Sequence, residues 1–474
     1  MIMDKEMTKK LVKVAIMAAI GMIIWFAPCP AGLSEEAWKY FSAYVVAIIG
    51  IMLHPFPSPV VMLGVIGIYG MLIGPRTLLS GYASTTTWQV FAAFMISVAF
   101  TATGLGKRIA YVLIGVFGKT SLGLGYSLAF TDLTLGMAIP STTARAGGVV
   151  FPIFNNVART LGSNAEDGTS NKLAAYLCIV SYHINLVTAS VFLTGMAPNV
   201  QIASFAKDIL NVDLDWLTWA KMGIVPGICL VLLIPFVLYK CFTPEIKKVD
   251  NYKEISREGL KELGAMSIRE KLLAIFFVGA VLLWATTGIT RFDATAIAIL
   301  FLAMCLIFGC MAWVDVRQSK GAWDTLIWYG AIIGLSSQLS GAGFFTWFAE
   351  LLQNTFDFTV MGSVTLMFIL VVGGLVVRYM FASSSVFTTS MMPVMYTIGL
   401  VGGVPVMPLA MLCAACNGFG AMLTNYGGAC GPVLFGYGHV EMKKWWILGT
   451  ISTVCCVAVY FLIGLPYWKL IGMW

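Results

Sequence analysis

Long apolar runs separated by short polar turns recur from one end of the chain to the other. Runs near the roughly 20 residues that a bilayer requires lie at about 11–27, 40–54, 58–74, 86–105, 172–206, 218–241, 271–288, 293–312, 323–341, 405–435 and 445–467. This spacing predicts about 11 membrane-spanning helices. Two further apolar stretches, 121–160 and 358–400, are interrupted midway by small polar residues, at Pro140-Ser141-Thr142-Thr143 and Ala382-Ser383-Ser384-Ser385. Each fits two half-length helices joined by a tip, a re-entrant hairpin. Irregular backbone at membrane depth is tolerated only where it is buried in protein or lines a cavity. The two hairpins therefore point to a site.

The pattern repeats. Gly104-Leu105-Gly106, the tip at 140–143 and an interrupted helix at Thr194-Gly-Met-Ala-Pro198-Asn199 are followed in the second half by Gly341-Ala342-Gly343, the tip at 382–385 and an interrupted helix at Thr424-Asn425-Tyr426-Gly427-Gly428. After the first helix each half holds five spans. That odd number sets the second half upside down relative to the first, the inverted-repeat design common among transporters.

Composition agrees. Of 474 residues 59% are hydrophobic and 11% charged, against about 25% charged in soluble domains; the excess apolar surface must face lipid. The run at 11–27 follows Lys9 and Lys10 and resembles a signal peptide, but its length and the many comparable runs behind it make it a first membrane helix. The net charge of +7 is no nucleic-acid signal, because the basic residues sit in loops without interleaved aromatics. With the N-terminus inside, about 21 Lys and Arg fall on cytoplasmic segments and about six outside, as the positive-inside rule asks. The polar stretch 242–270 then reads as a cytoplasmic linker. Cys413-x-x-Cys416 lies in an apolar, Ala-rich helix and reads as packing; with three histidines, a zinc site has little to draw on. His183 reads as a core histidine, His439 as interfacial, and Trp445 and Trp446 as an interface belt.

An anion at membrane depth needs fixed dipoles and a few charges. Half-helix N-termini supply unpaired N–H groups and about half a positive charge. Ser141, Thr142 and Thr143, and likewise Ser383, Ser384 and Ser385, are placed to cap the second arms of the hairpins. Pro198 suits the start of the half-helix at the first break, and Gly427 and Gly428 let the backbone open at the second. Four half-helix N-termini then converge on one anion. Arg145, two residues past the first tip, reads as a fixed cation for a substrate carboxylate, with an ion pair to Asp132 as the alternative. Arg378, before the second tip, invites the same reading; Tyr426 and Phe387 are secondary candidates.

Pro140-Ser-Thr-Thr-Ala-Arg-Ala-Gly-Gly148, Phe192-Leu-Thr-Gly-Met-Ala-Pro-Asn199, Arg378-Tyr-Met-Phe-Ala-Ser-Ser-Ser385 and Thr424-Asn-Tyr-Gly427 together resemble the divalent anion/sodium symporter family. The closest branch is that of the citrate/succinate, tartrate/succinate and 2-oxoglutarate/malate exchangers. The resemblance covers nearly the whole chain. It implies a homodimer working as an elevator, with scaffold helices at 1–120 and 271–357, transport-domain hairpins and broken helices at 121–241 and 358–474, and the linker at 242–270. It also implies a Ser-Asn-Thr-like motif at each tip, here altered at Thr142 and Ser384. Exchangers of this branch carry an Arg after the first tip and a His after the second, standing in for sodium; Arg145 matches the first and Phe387 replaces the second.

The sequence thus predicts an all-α polytopic protein of a bacterial inner membrane, N-terminus cytoplasmic and C-terminus external, carrying small organic anions of the citrate, succinate, malate, tartrate and 2-oxoglutarate class. Sodium-independent exchange leads. The expected substrate contacts are Ser141, Thr142, Thr143, Arg145, Thr194, Pro198, Asn199, Ser383, Ser384, Ser385, Thr424, Asn425 and Gly427. No cofactor or resident metal is expected. The runner-up is a sodium-coupled symporter with ion sites near Asn199 and Gly427. A passive pore fits paired hairpins poorly, and Asp132, His183 and Cys178 lack the nucleophile–base spacing of an enzyme.

Overall fold

Polar caps mark where the apolar helices begin in the computed structural model, which describes residues 5–358 and 361–474. Ser34 Oγ accepts from the Ala37 N–H (3.1 Å), Thr120 Oγ1 from Gly123 (3.0 Å) and Asp215 Oδ1 from Thr218 (2.7 Å). Ser267 and Glu270 form a reciprocal capping box, and Asp293 accepts from both Thr295 and Ala296. Each cap satisfies orphan N–H groups that lipid could not. Residues 1–4 and 359–360, at the edges of the expected segments 1–120 and 358–400, lie outside the described residues.

The fold is all-helical. Among the described residues, seven helices are long and apolar enough to cross a membrane: Glu35–Leu53, Thr85–Thr103, Ala174–Val191, Trp216–Cys241, Ser384–Val401, Val406–Leu423 and Met442–Leu470. Shorter apolar helices span Ser58–Ile73, Ala294–Ile307 and Ser363–Arg378. The expected segment at 293–312 ends early, because the chain turns at Gly309 in the left-handed region (φ 71°).

Both hairpins form. The first runs down Ser121–Gly136 and returns through a π-helical stretch, Thr143–Val150, into Phe151–Thr160. The second runs down Ser363–Arg378 and returns along Ser384–Val401. Both expected breaks form too. Ala174–Val191 stops, passes a short turn at Leu193–Gly195 and resumes as Ala197–Leu210. Val406–Phe419 tightens over Gly420–Leu423 and opens, and the chain resumes only as the five-residue Gly431–Phe435. That last segment corrects the expectation of four converging half-helices: Pro432 and Gly436 bound one short turn, which has too few aligned peptides for a useful dipole.

A second correspondence between the halves had no counterpart in the sequence reading. The final helix of each repeat carries Trp-x-x-x-Gly, at Trp219–Gly223 and Trp445–Gly449. A Cβ at Gly223 would lie 2.4 Å from the Val191 carbonyl oxygen, and one at Gly449 would lie 2.1 Å from that of Met422. Each glycine thus lets a helix press on the backbone just ahead of a break. Trp219 and Trp445 are fully buried beside them, so Trp445 is core rather than interface belt. Trp446 Nε1 donates to Asn425 Oδ1 (3.1 Å) instead of facing headgroups.

The arms leading to the hairpins also match. Leu105–Phe117 follows Gly104 and Phe344–Thr355 follows Gly343, each glycine at φ 80°, a conformation that side chains resist. The linker is not symmetric. Its extended part binds the first repeat through Val249 N–H to Lys119 O (3.0 Å), Ser121 N–H to Lys247 O (3.2 Å) and Ile246 N–H to Lys172 O (3.0 Å). Its helix Tyr252–Leu263 packs on Leu105–Phe117, where Gly259 meets the Tyr111 ring, and Arg108 closes it with an ion pair to Glu270 (2.8 Å).

Gly449→Ala should lower stability by about 1–3 kcal/mol, the usual cost of overpacking, because the obstacle is backbone. Thermal unfolding of detergent-purified protein checks this; an unchanged midpoint would show that the 420–423 turn yields freely.

Candidate functional site

The first tip begins where helix 121–136 ends. Ser141 Oγ accepts from the Ala144 N–H (3.2 Å), the expected cap, and its own hydrogen stays free to donate. Ser141, Thr142 and Thr143 are half-buried. Arg145, one turn on, is fully buried, and all five of its N–H groups are taken. Nε donates to Asp132 Oδ1 (2.9 Å), Nη1 to Ile139 O (2.5 Å) and Gly195 O (2.8 Å), and Nη2 to Asn185 O (3.2 Å) and Thr188 Oγ1 (3.3 Å). Asn185 Nδ2 (3.0 Å) and the Thr188 hydroxyl also donate to Asp132. The ion-pair alternative is therefore the one that forms, and Arg145 has no donor left for a ligand.

The second tip is built differently. Ser383 is extended at the head of the returning helix but its hydroxyl caps nothing. The tip is held instead from its carbonyl side by Arg378, whose Nη1 donates to Phe381 O (3.1 Å) and Ser383 O (3.3 Å) and whose Nη2 donates to Ser384 Oγ (2.9 Å) and Gly427 O (2.5 Å). Ser384 accepts here, so its hydrogen is free to donate outward. Arg378 is buried, and among the described residues no carboxylate pairs with it. Its Nε has no partner. Its guanidinium carbon lies 5.1 Å from the centre of the Phe387 ring, a cation–π contact. The buried aromatic at 387 thus seats the charge that its own side chain lacks.

The two guanidiniums do matching work. Arg145 binds a carbonyl of the first break, Gly195 O, and Arg378 binds one of the second, Gly427 O. Hydroxyls add matching staples: Thr194 Oγ1 donates to Met137 O (2.6 Å) and Tyr426 Oη to Tyr379 O (3.1 Å). Each hairpin is so fixed to its own broken helix. The halves are then tied to each other. Tyr182, from the first broken helix, donates to Ala421 O (2.7 Å) and Thr424 O (2.8 Å) of the second and accepts from the Gly428 N–H (3.3 Å). Gln201 Nε2 donates to Thr389 Oγ1 (2.9 Å). On the first hairpin's returning arm, a Cβ added at Gly147 would lie 2.9 Å from Val433 Cγ1. Both hairpins therefore reach the stretch that follows the second break, one at Gly427 and the other at Val433.

A cavity of about 140 Å³ opens beside the second tip, lined by Ser383, Ser385, Val386 and Thr389 on one wall and Ile48, Ile51, Ser58 and Trp328 on the other. Ser141, Thr142 and Thr143 do not line it. Of the remaining candidates, Thr194, Pro198, Asn199 and Thr424 are buried and serve the breaks: Asn199 Nδ2 donates to Ala189 O (2.7 Å) and Phe192 O (2.9 Å) across the interruption. Asn425 is half-buried with its amide nitrogen free. His183 is core as expected. His439 is not interfacial but buried, bonded to Ser170 Oγ (3.0 Å) and Asn155 Oδ1 (2.8 Å); burial, with Arg159 nearby, lowers its pKa. Asn185, Thr188 and Tyr182 are not among the residues the sequence singles out; their signal is polar residues at i, i+3 and i+6 along the helix Ala174–Val191.

An all-helical, multi-pass membrane transporter is what this arrangement defines. The pattern of the family described as "Sodium:sulfate symporter transmembrane region" matches residues 8–474, and the chain belongs to that family. It is 44% identical to inner membrane protein YbhI of Escherichia coli strain K12 over 98% of this chain and 99% of that one. It is 33% identical to the chloroplastic dicarboxylate transporter 1 of Spinacia oleracea (96% and 80%) and 30% identical to an L-tartrate/succinate antiporter of Escherichia coli strain UTI89 (98% and 99%). Among solved structures, the Alcanivorax borkumensis YdaH transporter shares the fold, with a TM-score of 0.58 over 98% of each chain at 13% identity.

Asp132→Ala should strand a buried guanidinium and cost about 3–5 kcal/mol. Asp132→Ala combined with Arg145→Met should recover part of that loss. Unfolding midpoints of the three proteins in detergent test it, and a double variant no better than the single would argue against the pair.

Proposed function

We propose that the chain is a sodium-independent exchanger of small organic dianions of the dicarboxylate and tricarboxylate class, and not an enzyme. One observation carries this reading: the break carbonyls Gly195 O and Gly427 O, the groups that hold a coupling cation in broken-helix carriers, each already accept from a guanidinium. A built-in cation cannot leave with the substrate, so the empty carrier stays charged and its return is opposed. The substrate's charge offsets it, and loaded crossing is favoured. Relatives named as dicarboxylate transporter and L-tartrate/succinate antiporter support the substrate class and the mode.

In this scheme the hydroxyls of Ser141, Thr142, Thr143, Ser383, Ser384 and Ser385, with the Asn425 amide, donate to the anion. Arg378, beneath the second tip, supplies the uncompensated positive charge. Arg145, neutralised by Asp132, positions the first tip and break. Thr194, Pro198, Asn199, Thr424 and Gly427 shape the breaks. The cavity of about 140 Å³ against Ile48, Ile51 and Trp328 reaches Ser383 and Ser385 but not the first tip, so in this scheme Ser141, Thr142 and Thr143 meet the anion in another conformation of the carrier. We further propose the elevator division, with 1–120 and 271–357 as scaffold, 121–241 and 358–474 moving and 242–270 as linker, in a homodimer with a cytoplasmic N-terminus and an external C-terminus. One feature favours the second reading, a sodium-coupled symporter: Asn199 Oδ1 is a buried acceptor without a partner, the kind of oxygen an ion would take.

Counterflow in proteoliposomes separates the two. Labelled succinate should enter only against internal dicarboxylate and regardless of sodium; uptake that needs external sodium and ignores internal anion would overturn the exchanger. Arg378→Gln should raise the half-saturating concentration at least tenfold, because the uncompensated positive charge beneath the second tip is lost, worth roughly 2–3 kcal/mol at about 6–8 Å in a medium of effective dielectric about 20, with Arg378→Lys recovering part. Ser383→Ala and Ser384→Ala should each weaken apparent affinity by a similar factor. No change in either serine variant would make the second tip mere packing.

A further inference from the structure

Helices Lys5–Phe26, Glu35–Leu53 and Ser58–Ile73 enclose an apolar groove of about 610 Å³ that shares no lining residue with the cavity at the second tip, with Val14, Met17, Phe56 and Val60 toward one mouth and Phe26 and Leu72 toward the other. Apolar grooves on a membrane protein are common, but this one has a cationic mouth. Lys13, next to Val14, lies there with its ammonium bonded to a single acceptor, Leu53 O (2.7 Å), so two N–H groups stay free. Lys9, one turn earlier, is exposed. The 16-residue helix Ser58–Ile73 begins at the same mouth with no side-chain cap; Pro59 carries no N–H and those of Val60 and Val61 bond Pro57 O, so it turns its positive end and the single Ser58 N–H the same way. Basic pockets between membrane helices are where anionic headgroups settle.

We infer that the groove binds an anionic membrane phospholipid, one acyl chain lying along Met17, Gly64 and Ile68 and the phosphate at Lys9, Lys13 and the head of helix 58–73. A second copy of the chain fits less well. Two copies related by an axis along the membrane normal would bring Lys9 and Lys13 against the same lysines.

Native mass spectrometry of the full-length protein in detergent, with added phosphatidylglycerol or phosphatidylcholine of identical chains, tests this. Wild type should retain phosphatidylglycerol over phosphatidylcholine by about fivefold or more, given about 1 kcal/mol per basic residue near a headgroup. Gly64→Phe should remove adducts of both lipids, because a side chain at Gly64 meets open space. Lys9→Gln, on an exposed side chain, should cut the preference by about fivefold even if the groove variant fails to fold. Equal retention of the two lipids by wild type, or full retention by Gly64→Phe, would overturn the assignment. So would rapid disulfide cross-linking between copies through Val60→Cys, which would make the groove a protein interface.

Discussion

A peptide group left open at membrane depth has no water to turn to, and its cost of several kcal/mol falls on any helix that stops halfway. This chain stops two helices and turns two hairpins there. What makes that affordable is a small set of donors aimed at the exposed carbonyls: the two guanidiniums, the Asn199 amide and the hydroxyls of Thr194, Tyr182 and Tyr426. Without them those carbonyls would be left unpaired, and the interruptions would have nothing to hold them open. The two tryptophan-glycine abutments act on the other side of the same problem, holding the backbone ahead of each break from behind.

The two halves solve that problem with unequal charge. In the first, the guanidinium arrives with a carboxylate, and Asp132, Asn185 and Thr188 close a fully satisfied network of the kind that fixes one geometry. In the second, Arg378 comes alone, with carbonyls, one serine and an aromatic face for company. Carbonyl dipoles and a ring stabilise a cation without cancelling it, so a net positive charge remains beneath the second tip. The charge is thus balanced in the first half and left unbalanced in the second.

Much of this was legible in the chain. Gly and Pro inside otherwise apolar runs at 194–199 and 424–428 could mean only interrupted helices, and serine clusters midway along 121–160 and 358–400 located both tips. The position of Arg378 in the sequence marked it as a candidate, but not its lack of a counter-ion, because pairing depends on side chains brought together across the fold. Asp132 was visible as the possible partner of Arg145, yet only the three-dimensional arrangement spends all five donors. The failures share a cause. Trp445 was placed at a lipid interface by composition, where helix packing buries it, and the half-helix after the second break was counted as a dipole although the opening runs on to Cys430 and leaves only Gly431–Phe435.

The polar strap between the halves has its own consequence. It sews 119–121 and 171–172 together and lays its helix along the arm 105–117. The equivalent arm at 344–355 is held by other means, Phe344 stacked on Phe41 at 4.7 Å and Trp347 Nε1 donating to Ala31 O (3.0 Å). Twin backbones are thereby tethered to different neighbours, one to the polar strap and the other to the first helices, so a pull on either tether is felt by one twin and not by its mate.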